Sequence, residues 1–212
     1  MRILSLSFLL GLVFLCSPIL NAQELPEWQN LSVVTQNTEA PRSTFYVYDS
    51  EEEAVENAYY KSKNLLLLNG TWKFNLADTP EQRPKDFYQP DFKTNDWDDI
   101  NVPGDWQMQG YDFPLYVSAG YTHAINPPFV DTIYNPIGSY KREFKIPKDW
   151  KAKQIKLYFG GVTSVFYVWI NGKKVGYDED AKTPSEFDIT SFIKPGNNEI
   201  AVEVYRWSDG TY

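Results

Sequence analysis

Thr163-Ser164-Val165-Phe166-Tyr167-Val168-Trp169-Ile170-Asn171-Gly172-Lys173-Lys174-Val175-Gly176-Tyr177 is the stretch that decides the fold. A run of β-branched and aromatic residues, which suit a pleated surface, meets Asn-Gly, and a second strand returns from it. Asn-Gly tolerates the left-handed backbone of a type I′ turn, so the segment reads as a hairpin. Outward from it the same grammar repeats. Ser139 to Ile146 partly alternates and stops at Pro147, and Gln154 to Phe159 is another strand. Ser185 to Ile189 and Ile200 to Trp207 follow, joined by the turn Pro195-Gly196-Asn197-Asn198. Many short strands with frequent turn signals and almost no helix predict an all-β sandwich.

Toward the N-terminus the pattern is less regular. Residues 23–45 are interrupted by Pro26, Asn30, Asn37 and Pro41 and read as an extended arm. Asp49-Ser50 before Glu51-Glu52-Glu53 reads as a helix start with acids in its first turn, the helix reaching about Lys61. Residues 23–62 thus form an arm with one short helix, and 63–212 the β-domain. Leu65 to Leu68, Asn69-Gly70 and Thr71 to Leu76 read as a second hairpin. Residues 77–99 are polar and Pro-bearing and read as a surface loop or short helix. From Ile100 to Pro136 prolines, glycines and aromatics follow without period, as in a functional loop or one structured by packing.

Residues 1–22 stand apart. Arg2, the apolar run Ile3 to Phe14 and the small-residue approach to Leu20-Asn21-Ala22 make a secretory leader, with cleavage expected after Ala22. The run is too short to span a bilayer comfortably. Leu15 precedes Cys16 where lipid attachment wants a small residue, so no membrane anchor is expected after cleavage. Export to the periplasm or beyond follows, and the only cysteine leaves with the leader. The chain carries 28 acidic residues against 20 basic ones, of which Arg2 also leaves. That balance disfavours nucleic acid and anionic membrane as partners. Aromatics make up 17% of the sequence, with seven Trp. Composition leaves two explanations open: stacking platforms for sugar rings, or a core built from large rings.

Catalytic constellations are missing. One histidine, His123, excludes a supported His triad or a His-rich metal site, and it reads as a solvent-facing loop residue. No Gly-rich phosphate loop follows a strand. Asp178, Glu179 and Asp180 read as solvated turn acids. Trp169 and Trp207 fall at alternating strand positions and read as core packing, and Trp106, after a Pro-Gly-Asp turn, as core or interdomain packing.

Several segments, in one order, carry a family resemblance: Leu68-Asn69-Gly70-Thr71-Trp72-Lys73-Phe74, Val102-Pro103-Gly104-Asp105-Trp106-Gln107, Trp169 to Tyr177, Pro184-Ser185-Glu186-Phe187-Asp188 and Arg206-Trp207-Ser208-Asp209-Gly210-Thr211-Tyr212. They resemble the N-terminal sugar-binding domain of family 2 glycoside hydrolases, and Asn126-Pro127-Pro128-Phe129 resembles the bacterial β-galactosidase branch. The resemblance implies a galactose-binding-domain-like jelly-roll sandwich at the head of a five-domain enzyme, truncated here with its last strand or strands missing. It implies retaining hydrolysis of β-galactosides by two glutamates on a barrel outside this chain. No catalytic residue is therefore expected among residues 1–212, and the fragment is expected to be inactive.

The resemblance also implies site residues. Asp209 matches a carboxylate that contacts galactose and a Na⁺ ion at the barrel mouth. Ser118 falls where the family places an Asn that touches the sugar, and it reaches less far than Asn. No cofactor is expected in the fragment, while Na⁺ and Mg²⁺ are implied for the full enzyme, the Mg²⁺ ligands lying on the barrel. The implied partners are a β-galactoside and the missing downstream domains, with room for homo-oligomeric assembly of the full enzyme. A freestanding secreted lectin and a fragment of a family 2 β-glucuronidase or β-mannosidase are the competing readings.

Overall fold

The computed structural model of the protein describes residues 25–56 and 58–212; the expected leader, residues 1–22, lies outside them. Among the described residues nine strands, all paired antiparallel, make two sheets. They are β1 (Thr35–Gln36), β2 (Gly70–Ala77), β3 (Asp98–Val102), β4 (Ile137–Ile146), β5 (Lys156–Phe159), β6 (Val165–Ile170), β7 (Lys173–Asp178), β8 (Ser185–Asp188) and β9 (Gly196–Tyr205). The larger sheet runs β1-β7-β6-β9-β4-β2-β3, and β5 pairs with β8 in the smaller one. β9, the last described strand, lies inside the sheet, paired along its length with β4 and over Ile200 to Tyr205 with β6.

The opening hairpin forms as read. Asn171 and Gly172 both take positive φ, 51° and 82°, the backbone of a type I′ turn. The Asn171 side chain then works as a staple. Its amide donates to Phe192 O at 3.0 Å and to Asn198 Oδ1 at 2.8 Å, and its Oδ1 accepts from Glu199 N at 3.1 Å. The second expected hairpin does not form. Gly70 opens β2, which pairs with β3 and β4, and Leu65 to Asn69 lie outside any strand. The Leu68 carbonyl is taken by side chains instead, the indole of Trp72 at 2.8 Å and the guanidinium of Arg142 at 2.6 Å.

Both faces of the larger sheet are buried. On β6, Phe166, Val168 and Ile170 point into the main core with Phe74, Phe187, Ile200 and Val202. Tyr167 and Trp169 alternate to the opposite face, which the chain's two least regular segments cover. The arm places Trp28 on Tyr205, rings stacked at 5.0 Å. The 77–99 segment, expected on the surface, buries Phe87 and Trp97 and stacks Tyr88 on Trp169 at 4.8 Å. Its Arg83 pairs with buried Glu203 at 3.3 Å. Six of the seven tryptophans are buried and Trp169 packs beneath Tyr88, so the tryptophans serve the core.

The arm also joins the two sheets. β1 pairs with β7, then Thr38 bridges to Phe187 of β8, and Glu39 N donates to Glu186 O at 2.8 Å. Glu27 accepts hydrogen bonds from Tyr167 at 2.9 Å and Lys174 at 2.8 Å. Burial opposes ionisation there, but these donors hold its pKa down at about 2. The helix is shorter than expected: α1 spans Glu51–Glu56, with Ser50 Oγ accepting from Glu53 N at 3.3 Å, and a 3-10 turn covers Tyr59–Lys61. Asn57 between them lies outside the described residues.

Gly176 marks where the arm crosses. A Cβ there would stand 2.3 Å from Gln36 O and 2.6 Å from the Phe187 ring. Gly176→Ala should push β1 off β7 and lower stability by about 1–3 kcal/mol. Urea unfolding checks it against Gly161→Ala, where the nearest atom stands 3.9 Å away. Equal midpoints for the two variants would contradict the close crossing.

Candidate functional site

The end of β9 is built to hold Asp209. Beyond Tyr205, Arg206 N donates to Pro136 O at 3.0 Å. The Asn135 side chain then acts as a strand partner for Trp207, accepting from its N–H and donating to its carbonyl, each at 3.0 Å. A 3-10 turn follows at Asp209–Thr211. Ser208 N donates to Thr211 Oγ1 at 2.9 Å, Thr211 N donates to Ser208 O at 3.0 Å, and Ser208 Oγ meets Ser164 Oγ at 2.5 Å. These bonds hold the backbone of the turn that carries the carboxylate. Asp209 is 3% exposed.

Its two oxygens differ. Oδ1 accepts from Gly210 N at 3.0 Å, while Oδ2 is buried with no donor other than a protonated Glu179. The group facing it is Glu179, just past β7, whose Oε2 accepts from the Tyr177 hydroxyl at 2.7 Å. Two carboxylates cannot hydrogen-bond unless one keeps a proton. Burial and the neighbouring Asp209 accordingly push Glu179 up to about 7, and burial raises Asp209 as well. Asp178, also expected in solvent, is buried and accepts from the Ser185 hydroxyl, and burial raises its pKa. Of the three turn acids only Asp180 is exposed. Glu179 is thus a site residue that sequence reasoning set aside. The one available signal was its place directly after a strand whose Tyr177 points inward.

Ser118 lies exposed on the loop between Gly110 and Pro136. That loop is tied to the Asp209 segment at two places. Tyr212 Oη donates to Ala124 O at 3.0 Å and Phe129 O at 2.9 Å and accepts from Asn126 N at 3.1 Å, while Tyr121 Oη donates to Tyr212 O at 2.7 Å. Upstream, the Asp112 carboxylate collects Arg206, Tyr134, Trp106 at 3.3 Å and Gln107 at 3.4 Å. The Asp112 side chain is 0% exposed and that of Arg206 10%. Trp106 and Trp207 are buried, consistent with packing. His123 departs from expectation: it packs among Tyr121, Trp207 and Tyr212, ring centroids 5.1–5.9 Å away.

Among the described residues no three His, Cys, Asp or Glu side chains gather as a metal site. The orphaned Oδ2 of Asp209 has the chemistry of one hard-oxygen ligand, which alone does not make a cation site. Nor, among the described residues, is any helix long and apolar enough to cross a membrane.

The two-sheet β-fold agrees with the comparisons. The family described as "Glycosyl hydrolases family 2, sugar binding domain" matches residues 65–212. The chain belongs to that family. It is 44% identical over 196 residues to a protein named Beta-galactosidase from Priestia megaterium, covering 90% of this chain and 19% of the relative. It is 40% identical over 186 residues to another of that name from Psychromonas ingrahamii, covering 88% and 18%. The chain thus spans about a fifth of the length of the curated relatives it matches. Among solved structures, a β-glucuronidase from Bacteroides uniformis superposes with TM-score 0.50 at 26% identity, over 66% of this chain and 14% of that one.

The paired carboxyls make a signed prediction. A carboxyl whose folded-state pKa is raised binds its proton more tightly folded than unfolded. Its contribution is therefore full below about 4.5, the unfolded value, and declines as pH rises toward about 7. Glu179→Gln replaces the shared proton by a permanent amide donor and should flatten that part of the stability profile. Urea midpoints from pH 4 to 8 for both proteins check it. Parallel profiles would mean that Glu179 shares no proton with Asp209.

Proposed function

We propose that this chain is the sugar-side domain of an exported β-galactosidase, supplying Asp209 to a galactose site completed by a catalytic barrel. The observation that carries the reading is the 44% identity to a β-galactosidase across 90% of the chain. The geometry at Asp209 supports it. A carboxylate held by a hydrogen-bonded turn, with one oxygen bonded and the other without a donor once Glu179 is ionised, is prepared to accept a sugar hydroxyl or to bind a cation. Ser118 on the tethered loop is the second proposed contact. Na⁺, where bound, would supply a fixed positive charge to orient a hydroxyl, with Asp209 Oδ2 as this chain's ligand. Bond cleavage belongs to the barrel glutamates, whereas this chain's residues orient the sugar and exclude water around it.

The β-glucuronidase reading rests on the structural likeness at 26% identity, well below the identity to the β-galactosidases. The lectin reading requires galactose binding without a barrel. One graft separates the three. Residues 1–212 replace the matching segment of the Priestia megaterium protein, and hydrolysis of aryl β-galactosides and β-glucuronides is measured. The graft should cleave the galactoside and should be found outside the cytoplasm beginning at Gln23. Asp209→Ala should lower kcat/KM by roughly 10- to 100-fold, the loss of one charged hydrogen bond. Preference for the glucuronide, indifference to Asp209→Ala, or millimolar galactose binding by the ungrafted chain would each overturn the proposal.

A further inference from the structure

His123 is the sole histidine of the protein and lies where a histidine is poorly accommodated. Its ring sits 5.3 Å from Trp207, 5.1 Å from Tyr212 and 5.9 Å from Tyr121, centroid to centroid. Both ring nitrogens are shut off from solvent and neither has a hydrogen-bond partner. A neutral imidazole there gives up hydrogen bonds that it would make to water. An imidazolium gives up two charged donors, a larger loss.

The surroundings offer the charged form little in return. The rings meet His123 tilted or edge-on, at 42°, 44° and 75°, rather than presenting a face squarely. The Trp207 ring already carries the Arg206 guanidinium, 4.8 Å from its centroid, so a second cation there would face a like charge. Asp131 is the acid that acts on His123 through space and favours protonation, but burial outweighs it and moves the imidazole below its ordinary value. Tyr121 and Tyr212, the other titratable neighbours, turn their hydroxyls to backbone carbonyls, Tyr121 to Tyr212 O and Tyr212 to Ala124 O and Phe129 O.

The position matters because of what the cluster closes. His123 lies on the loop that carries Ser118, and its ring partners Trp207 and Tyr212 flank Asp209 on the other side of the contact. We propose that His123 is a pH-sensitive latch: neutral, it packs the 118–130 loop onto the 207–212 segment, and protonated, it releases that loop. The proton goes from solvent to a ring nitrogen exposed by the opening, and no bond is made or broken. The open loop binds the proton more readily than the closed one, so closure is complete above the ordinary imidazole value and weakens as pH falls through it. The latch is independent of which sugar the domain faces.

A single histidine gives the test an unambiguous probe. The imidazole Cε1–H resonance of the full chain is followed by NMR from pH 8 to 4.5, with amide hydrogen exchange of residues 118–130 measured alongside. The latch requires an apparent pKa below about 6.5 and at least a tenfold rise in loop exchange, corrected for intrinsic pH dependence, over the same interval. His123→Phe, which keeps an aromatic ring without a titrating group, should hold loop exchange constant across that range. A wild-type titration at or above the ordinary value, or a protonated state whose loop stays as protected as before, would overturn the proposal whether or not the variant folds.

Discussion

Asp112 is a carboxylate without solvent, and the candidate site depends on its holding four donors from separate parts of the chain. Trp106 and Gln107 come from the 3-10 turn after β3, Tyr134 from the approach to β4, and Arg206 from the end of β9. An ion pair so deeply buried is weak evidence for net stability, because desolvation offsets much of its Coulomb gain. It is strong evidence for position. Leaving Arg206 unpaired there would cost about 3–5 kcal/mol, so loop and strand end are found together or not at all. The same pair that starts the Ser118 loop therefore also starts the Asp209 turn.

Around that clamp the domain solves one problem repeatedly, how to cover a sheet with two apolar faces. The smaller sheet covers one side. The other is covered by irregular chain, which must satisfy its own polar groups while doing so. Buried Lys141 shows how: it donates to Gln89 O at 2.7 Å and pairs with Glu199 at 3.1 Å, pinning the 77–99 segment. Glu27 does the equivalent for the arm, between Tyr167 and Lys174.

What the sequence made legible follows from the range of the forces involved. The Asn171-Gly172 hairpin depends on two residues and their flanking strands, so it could be read locally, and the sandwich followed from it. The Asn69-Gly70 pair carries the same local signal and yet makes no hairpin, because Arg142, from β4, takes the carbonyls of Leu68 and Asn69. Phe87, Trp97 and Tyr88 looked like surface because their segment has no period, and only the outer face of β6 and β9, which they cover, makes them core. At the site, Asp209 was named from the resemblance, and its buried, half-satisfied state is a finding of the structure. Glu179 and His123 were set aside as solvated because charge and loop position were the only signals available. Their partners, Asp209 and the Trp207–Tyr212 rings, are remote in sequence.

The central claim is that one buried carboxylate sets the spacing of the Ser118 loop and the Asp209 turn. Hydrogen exchange of Asp112→Asn tests it most directly, since Asn keeps the shape and removes the charge. The account predicts exchange at least about tenfold faster, ~1.4 kcal/mol, at residues 114–130 and 207–212, with β6 and the middle of β9 unchanged. Uniform acceleration across the sheet, or no change in either segment, would contradict it.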